Sequence, residues 1–109
     1  MRTRGGRPDR TRAIVLTGAE TETALGGRET VWSEAGVLWF AVDSRGVRER
    51  DERALGQPRL VETARALARA HPAVARGVRL NTDDGAWRVV AVEADQPGPG
   101  RSILHLARE

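Results

Sequence analysis

The imidazoles of this chain are His71 and His105, and it contains no cysteine. Thiol catalysis, thiolate metal sites and disulfides are therefore excluded. His105 stands between Leu104 and Leu106 in the run ILHLA. Alternation along a strand would send the imidazole to one face and the leucines to the other, so it reads as a structural histidine rather than a general base. His71 precedes Pro72, and a residue before proline avoids the α region, so this pair closes an element. Asp83, Asp84, Glu93 and Asp95 carry oxygens that a hard cation would accept, but their spacing matches no EF-hand loop. Asp83, Asp84 and Asp95 stand where turns use aspartate for backbone geometry. Gly26-Gly27 lacks the flanking strand, helix and third glycine of a phosphate loop, and nothing resembles a nucleophile elbow. These residues support no catalytic or metal site, and no cofactor is expected.

The charge is unusual in kind rather than amount. All 18 basic residues are arginine, and lysine and tyrosine are absent along with cysteine. Nothing titrates between the amino terminus and arginine, so a net charge of only +3 gives a pI near 11.1. That pI reflects missing buffers and does not mark a nucleic-acid protein. The positive excess is local: Arg2, Arg4, Arg7, Arg10 and Arg12 face only Asp9 within residues 1–12, whereas residues 13–109 hold 13 arginines against 14 acids. Residues 1–12 (MRTRGGRPDRTR) are too polar to order themselves and read as a flexible arm, either a solvated terminus or a contact for nucleic acid or a partner ring.

The elements that would carry any site are mostly β. At 109 residues and 39% hydrophobic, the chain makes one domain, 13–109, with one modest core and thin stability in isolation. No apolar run approaches the roughly 18 residues of a membrane span, and no signal peptide opens the sequence, so a soluble intracellular protein without a membrane partner is expected. Order begins at Ala13 and a strand ends at Gly18; Gly26-Gly27 marks a turn. Thr30-Val31-Trp32 resumes β character, Ala35-Gly36 breaks it, and Val37–Val42 (VLWFAV) reads as a strand buried on both faces. Residues 43–58, with RGVRERDER at their centre, read as a long exposed loop. Leu60–His71 favours helix by propensity, although a strand can also be read by twos. Val78-Arg79-Leu80, Trp87–Glu93 and Ile103–Ala107 are strands, separated by the turn at 81–85 and the loop DQPGPG. The fold class is mainly β, a small barrel or sandwich of about six strands.

Two features invite interaction rather than chemistry. Trp32, Trp39 and Trp87 all fall on expected strands, and a domain this small rarely buries three indoles completely. We place Trp39 and Trp87 in the core with Val42, Leu80, Val89 and Leu104, and Trp32 at an interface, where tryptophan carries much binding energy. The mixed charges Arg45, Arg48, Glu49, Arg50, Asp51, Glu52 and Arg53 suit self-complementary pairing between identical subunits, which fixes register more than affinity.

The order of these features resembles the head–tail connector proteins of long-tailed phages and gene transfer agents, variously called adaptors, head-closure proteins or stoppers. The resemblance rests on the early Val15-Leu16 strand, on Gly26-Gly27 leading to Thr30-Val31-Trp32, and on Gly36-Val37-Leu38-Trp39-Phe40-Ala41-Val42. It continues with Gly46 before Arg48-Glu49-Arg50, then Pro72, Gly77-Val78-Arg79-Leu80, Asp84-Gly85, Trp87–Val92 and a closing leucine-rich strand. It covers residues 13–109 and implies that Val61–Arg69 is a strand against its propensity. It also implies a structural virion subunit, assembled in the bacterial cytoplasm at the neck of a phage-like particle. Copies would form a homo-oligomeric ring of about six or twelve. A portal or adaptor ring would lie on the head side, a tail terminator or tail tube on the other, and double-stranded DNA in the lumen. The competing reading is a small nucleic-acid-binding barrel using the N-terminal arginines. It would want exposed aromatics among basic residues, whereas these aromatics sit in apolar runs.

Overall fold

The computed structural model describes residues 10–52, 57–94 and 100–109, and the regular structure among them is entirely β. Six strands follow in order: β1 (Thr11–Glu22), β2 (Arg28–Glu52), β3 (Gln57–Arg69), β4 (Arg79–Thr82), β5 (Gly85–Ala94) and β6 (Arg101–Arg108). They close into an antiparallel barrel in the order β1-β2-β3-β6-β5-β4, with β4 pairing back onto β1. Closure removes the sheet edges from the barrel body and leaves them only on the projecting β1–β2 and β2–β3 hairpins.

Core positions follow the two-residue period of the pleat. Inside lie Ala13 and Val15 from β1, Leu38 and Phe40 from β2, Ala64, Ala66 and Ala68 from β3, Leu80 from β4, Trp87 and Val89 from β5, and Leu104 and Leu106 from β6. Val78 joins them just before β4, and Val42 packs against the cluster from its margin. Three alanines of β3 share this core with the large side chains Phe40, from the neighbouring strand, and Trp87; small barrels mix large and small side chains in this way. Burying each large apolar side chain contributes about 1.5–3 kcal/mol.

A straight 25-residue strand would run about 80 Å at ~3.3 Å per residue, yet the longest dimension of the molecule is 56 Å. So β2 must bend, and extra residues mark where. Ala35 has no cross-strand partner between the pairs Leu16–Glu34 and Val15–Gly36, and Asp43 has none between Val42–Ala66 and Ser44–Arg65. Such bulges kink a strand and let a sheet curl. At the first, Gly36 adopts φ +131°, a conformation that side chains resist, and a Cβ there would stand 3.1 Å from His71 Nε2. A third bulge, at Val90, bends β5.

Four expectations change. Gly18 does not end a strand: β1 starts at Thr11 and passes through Gly18 to Glu22. Glycine is needed because a Cβ there would meet Thr30 Cγ2 at 2.8 Å and the Trp32 ring at 3.1 Å. Residues 43–52 and 57–58 are strand, where a loop over 43–58 was expected. β2 continues to Glu52 and β3 resumes at Gln57, paired from Ser44–Arg65 out to Glu52–Gln57, because two extended segments satisfy each other's backbone groups. Residues 60–69 form strand, not helix, which the resemblance implied and propensity did not. Finally, Trp39 is 51% exposed. The run VLWFAV alternates like any strand, with Leu38 and Phe40 inside and Val37 and Trp39 outside, and among the described residues no second layer covers the outer face.

Candidate interaction surfaces

The sequence-derived contact residues fall on three surfaces. The first is the β2–β3 ribbon that carries the mixed charges. Arg45 donates to Glu62 at 3.1 Å across the ribbon, Arg65 pairs with Asp43, and Arg108 Nε reaches the other Glu62 oxygen at 3.3 Å. These pairs are largely exposed, so each is worth well under about 1 kcal/mol, but together they orient the ribbon on the barrel. Beyond them Arg48 and Glu49 are exposed, as are Val47 and Leu60, at 66% and 72%. Arg50, Asp51 and Glu52 are the last residues of β2. Arg53 lies outside the described residues, as do Arg2, Arg4, Arg7 and Asp95. The ribbon pairs only with itself past Thr63–Ala107, the last rung between β3 and β6.

The second surface surrounds Trp32, which is half-buried rather than open. Arg79 and Arg88 face each other across β4–β5 and lie over its ring, at 5.7 and 5.1 Å from the centroid. Two like charges directly opposite repel. The Glu109 carboxylate offsets this, 2.8 Å from Arg88 and 3.7 Å from Arg79, and the indole face adds cation–π attraction. Trp32 thus braces the barrel wall with its own arginines.

The third surface was not foreseen. Trp39 sits directly across from Arg12 on β1, and Phe40 pairs with Ala68, so Arg69 is the next residue beside Trp39 on β3. A groove of about 800 Å³ opens here, and its lining brings Val37, Trp39 and Leu67 together with Arg10, Arg69, Arg101 and His71. No acidic residue is among its described lining residues. Only the register brings Arg12 and Arg69 to Trp39, 27 and 30 positions away in sequence. The signal that could have revealed it is the period-two order of VLWFAV, which puts Trp39 opposite Leu38 and Phe40 in facing.

Chemistry remains sparse. His105 hydrogen-bonds Glu93 on the outer face, with Leu104 and Leu106 inward as alternation required. Asp83 and Asp84 form the β4–β5 turn, where Thr82 Oγ1 accepts from the Asp84 amide at 3.2 Å. His71 Nδ1 accepts from the Ala73 amide at 3.1 Å, finishing β3. Among the described residues no three His, Asp or Glu side chains gather in a metal-sized cluster.

No known family's sequence profile matches this chain, and no curated protein sequence does. Among solved structures, the fold is similar to that of a chain described as "Virion of native gene transfer agent (GTA) particle", with a TM-score of 0.64 and 23% identity. The superposition covers 94% of this chain and 96% of that one, so the likeness is of the whole barrel with its hairpins rather than of a shared fragment.

Proposed function

We propose that this chain is a structural, non-enzymatic subunit of a phage-like particle, forming a ring at the head–tail connector. It would join the portal or adaptor to a tail terminator or tail tube, with double-stranded DNA passing through the lumen. The observation that carries this reading is end-to-end likeness to a chain of a gene transfer agent virion, reached independently of the ordered motifs in the sequence. The physics agrees. A small barrel with a thin core gains stability from neighbours, and repeated head-to-tail contacts close rings. A nearly neutral body lets duplex DNA slide, because phosphate affinity scales with cationic contacts. The ribbon carrying Arg45, Arg48 and Glu49 supplies neighbour or lumen contacts. The N-terminal arginines dock on an adjoining ring, and Trp39 rather than Trp32 is the aromatic offered to a partner.

Deleting the gene in the producing cell tests this. Full heads without tails, restored to tailed particles by the wild-type gene, is the expected result. Normal tailed particles lacking this chain would contradict it. The nucleic-acid reading gains one observation, the exposure of Trp39 beside Arg12 and Arg69. It predicts that Trp39→Ala abolishes binding of single-stranded oligonucleotides at physiological salt.

A further inference from the structure

The two ends of the β1–β2 ladder carry opposite charge, and each exposes a large apolar side chain. At the turn end, residues 18–34 hold Glu20, Glu22, Glu29 and Glu34 against Arg28 alone. Arg28 pairs with Glu20 at 3.3 Å, and the other three glutamates have no ion-pair partner among the described residues. At the tip, the turn is fixed by Thr23, whose hydroxyl accepts from the Gly27 amide at 3.0 Å. It presents Leu25 at 98% exposure. A lone exposed leucine is ordinary, but this one stands at the tip of a hairpin with glutamates on both of its faces. At the other end lies the Trp39 groove, with Arg10 and Arg69 in its lining and Arg12 directly across from Trp39.

Knob and groove cannot meet within one molecule. Eleven steps of β2 separate Arg28 from Trp39, about 35 Å of paired strand at ~3.3 Å per residue, and the ladder holds them apart. We propose that the acidic β1–β2 hairpin of one copy seats Leu25 in the Trp39 groove of the next copy, with Glu22 and Glu29 facing Arg12 and Arg69. At about 800 Å³ the groove has room for the hairpin tip around Leu25 and not for the leucine alone. A central aromatic and apolar anchor within a charged rim is the usual anatomy of a protein contact. Because knob and groove are different patches, the contact is heterologous: each copy gives one and receives one, and the series closes or runs on. The inference rests on the ring-forming reading and names the surfaces that would build the ring.

Native mass spectrometry of the full chain tests it with Leu25→Asp and Trp39→Ala, both at exposed positions, with circular dichroism confirming that each variant folds. Wild type forms higher oligomers and each variant alone is monomeric. An equimolar mixture yields a one-to-one heterodimer and nothing larger, because one partner keeps its groove and the other its knob. Arg69→Glu weakens association at least tenfold, and adding Glu29→Arg in the same chain recovers it. A monomeric wild type, or a mixture without heterodimer, overturns the proposal. Wild-type oligomers in both variants also overturn it, while leaving a ring built on other surfaces standing. Loss of oligonucleotide binding in Trp39→Ala with self-association intact would assign the groove to nucleic acid instead.

Discussion

Trp87 is 3% exposed, with the Arg108 guanidinium stacked 3.9 Å from its ring centre, whereas Trp39 is 51% exposed on the outer wall. Truncating them should therefore have unlike costs. Trp87→Ala should lose about 3–5 kcal/mol of folding stability, enough to unfold a domain this small, whereas Trp39→Ala should stay within about 1 kcal/mol. Urea denaturation of both variants checks this, and equal losses would mean that the outer face is covered. Gly36 makes a second case. Its φ of +131° is nearly closed to residues with a Cβ, and the space beside it is taken by His71. Gly36→Ala should destabilise by about 1–3 kcal/mol, measured the same way. Gly26, with φ +85° and nothing within 4 Å of an added Cβ, provides the contrast in which only backbone strain acts.

The alanines of β3 show how much an element reveals in advance. Ala64, Ala66 and Ala68 alternate inward while Thr63, Arg65, Leu67 and Arg69 face out. That period-two order was present in the sequence, but alanine and arginine favour helix intrinsically, and Leu60, Ala64, Leu67 and His71 also fit a helical period. Pairing with β2 and β6 on both sides decided it, since tertiary context overrides a weak preference. The C-terminal meander was legible because its strands are β-branched and its turns carry Asp-Gly and Pro-Gly signals. The β2–β3 ribbon was not, because alternating Arg and Glu says nothing about pairing until a register exists. Among the described residues none of the ribbon's outer side chains joins the core. Replacing residues 48–61 by Asn-Gly, which favours a two-residue hairpin between Val47 and Glu62, should leave the barrel folded, with Tm lowered by no more than a few degrees. Circular dichroism melting would show otherwise if the ribbon were part of the folding unit.

At the scale of the whole molecule, the positive excess lies in residues 1–12 and the barrel is near neutral. Any affinity for duplex DNA should thus come from the arm. Arg2→Ala, Arg4→Ala and Arg7→Ala together should abolish it and flatten the salt dependence by roughly 0.9 log units per lost phosphate contact, in a titration of affinity against salt. Persistence of binding would place cationic contacts on the barrel. The ribbon, the hairpin tip and Trp39 all face outward from the barrel core, which fits a part made to be assembled. Cryo-electron microscopy of particles purified from the producing cell measures this most directly. The account predicts closed rings of this barrel at the neck between head and tail. Intact particles with no density for it at the neck, together with free monomers in the cell extract, would contradict it.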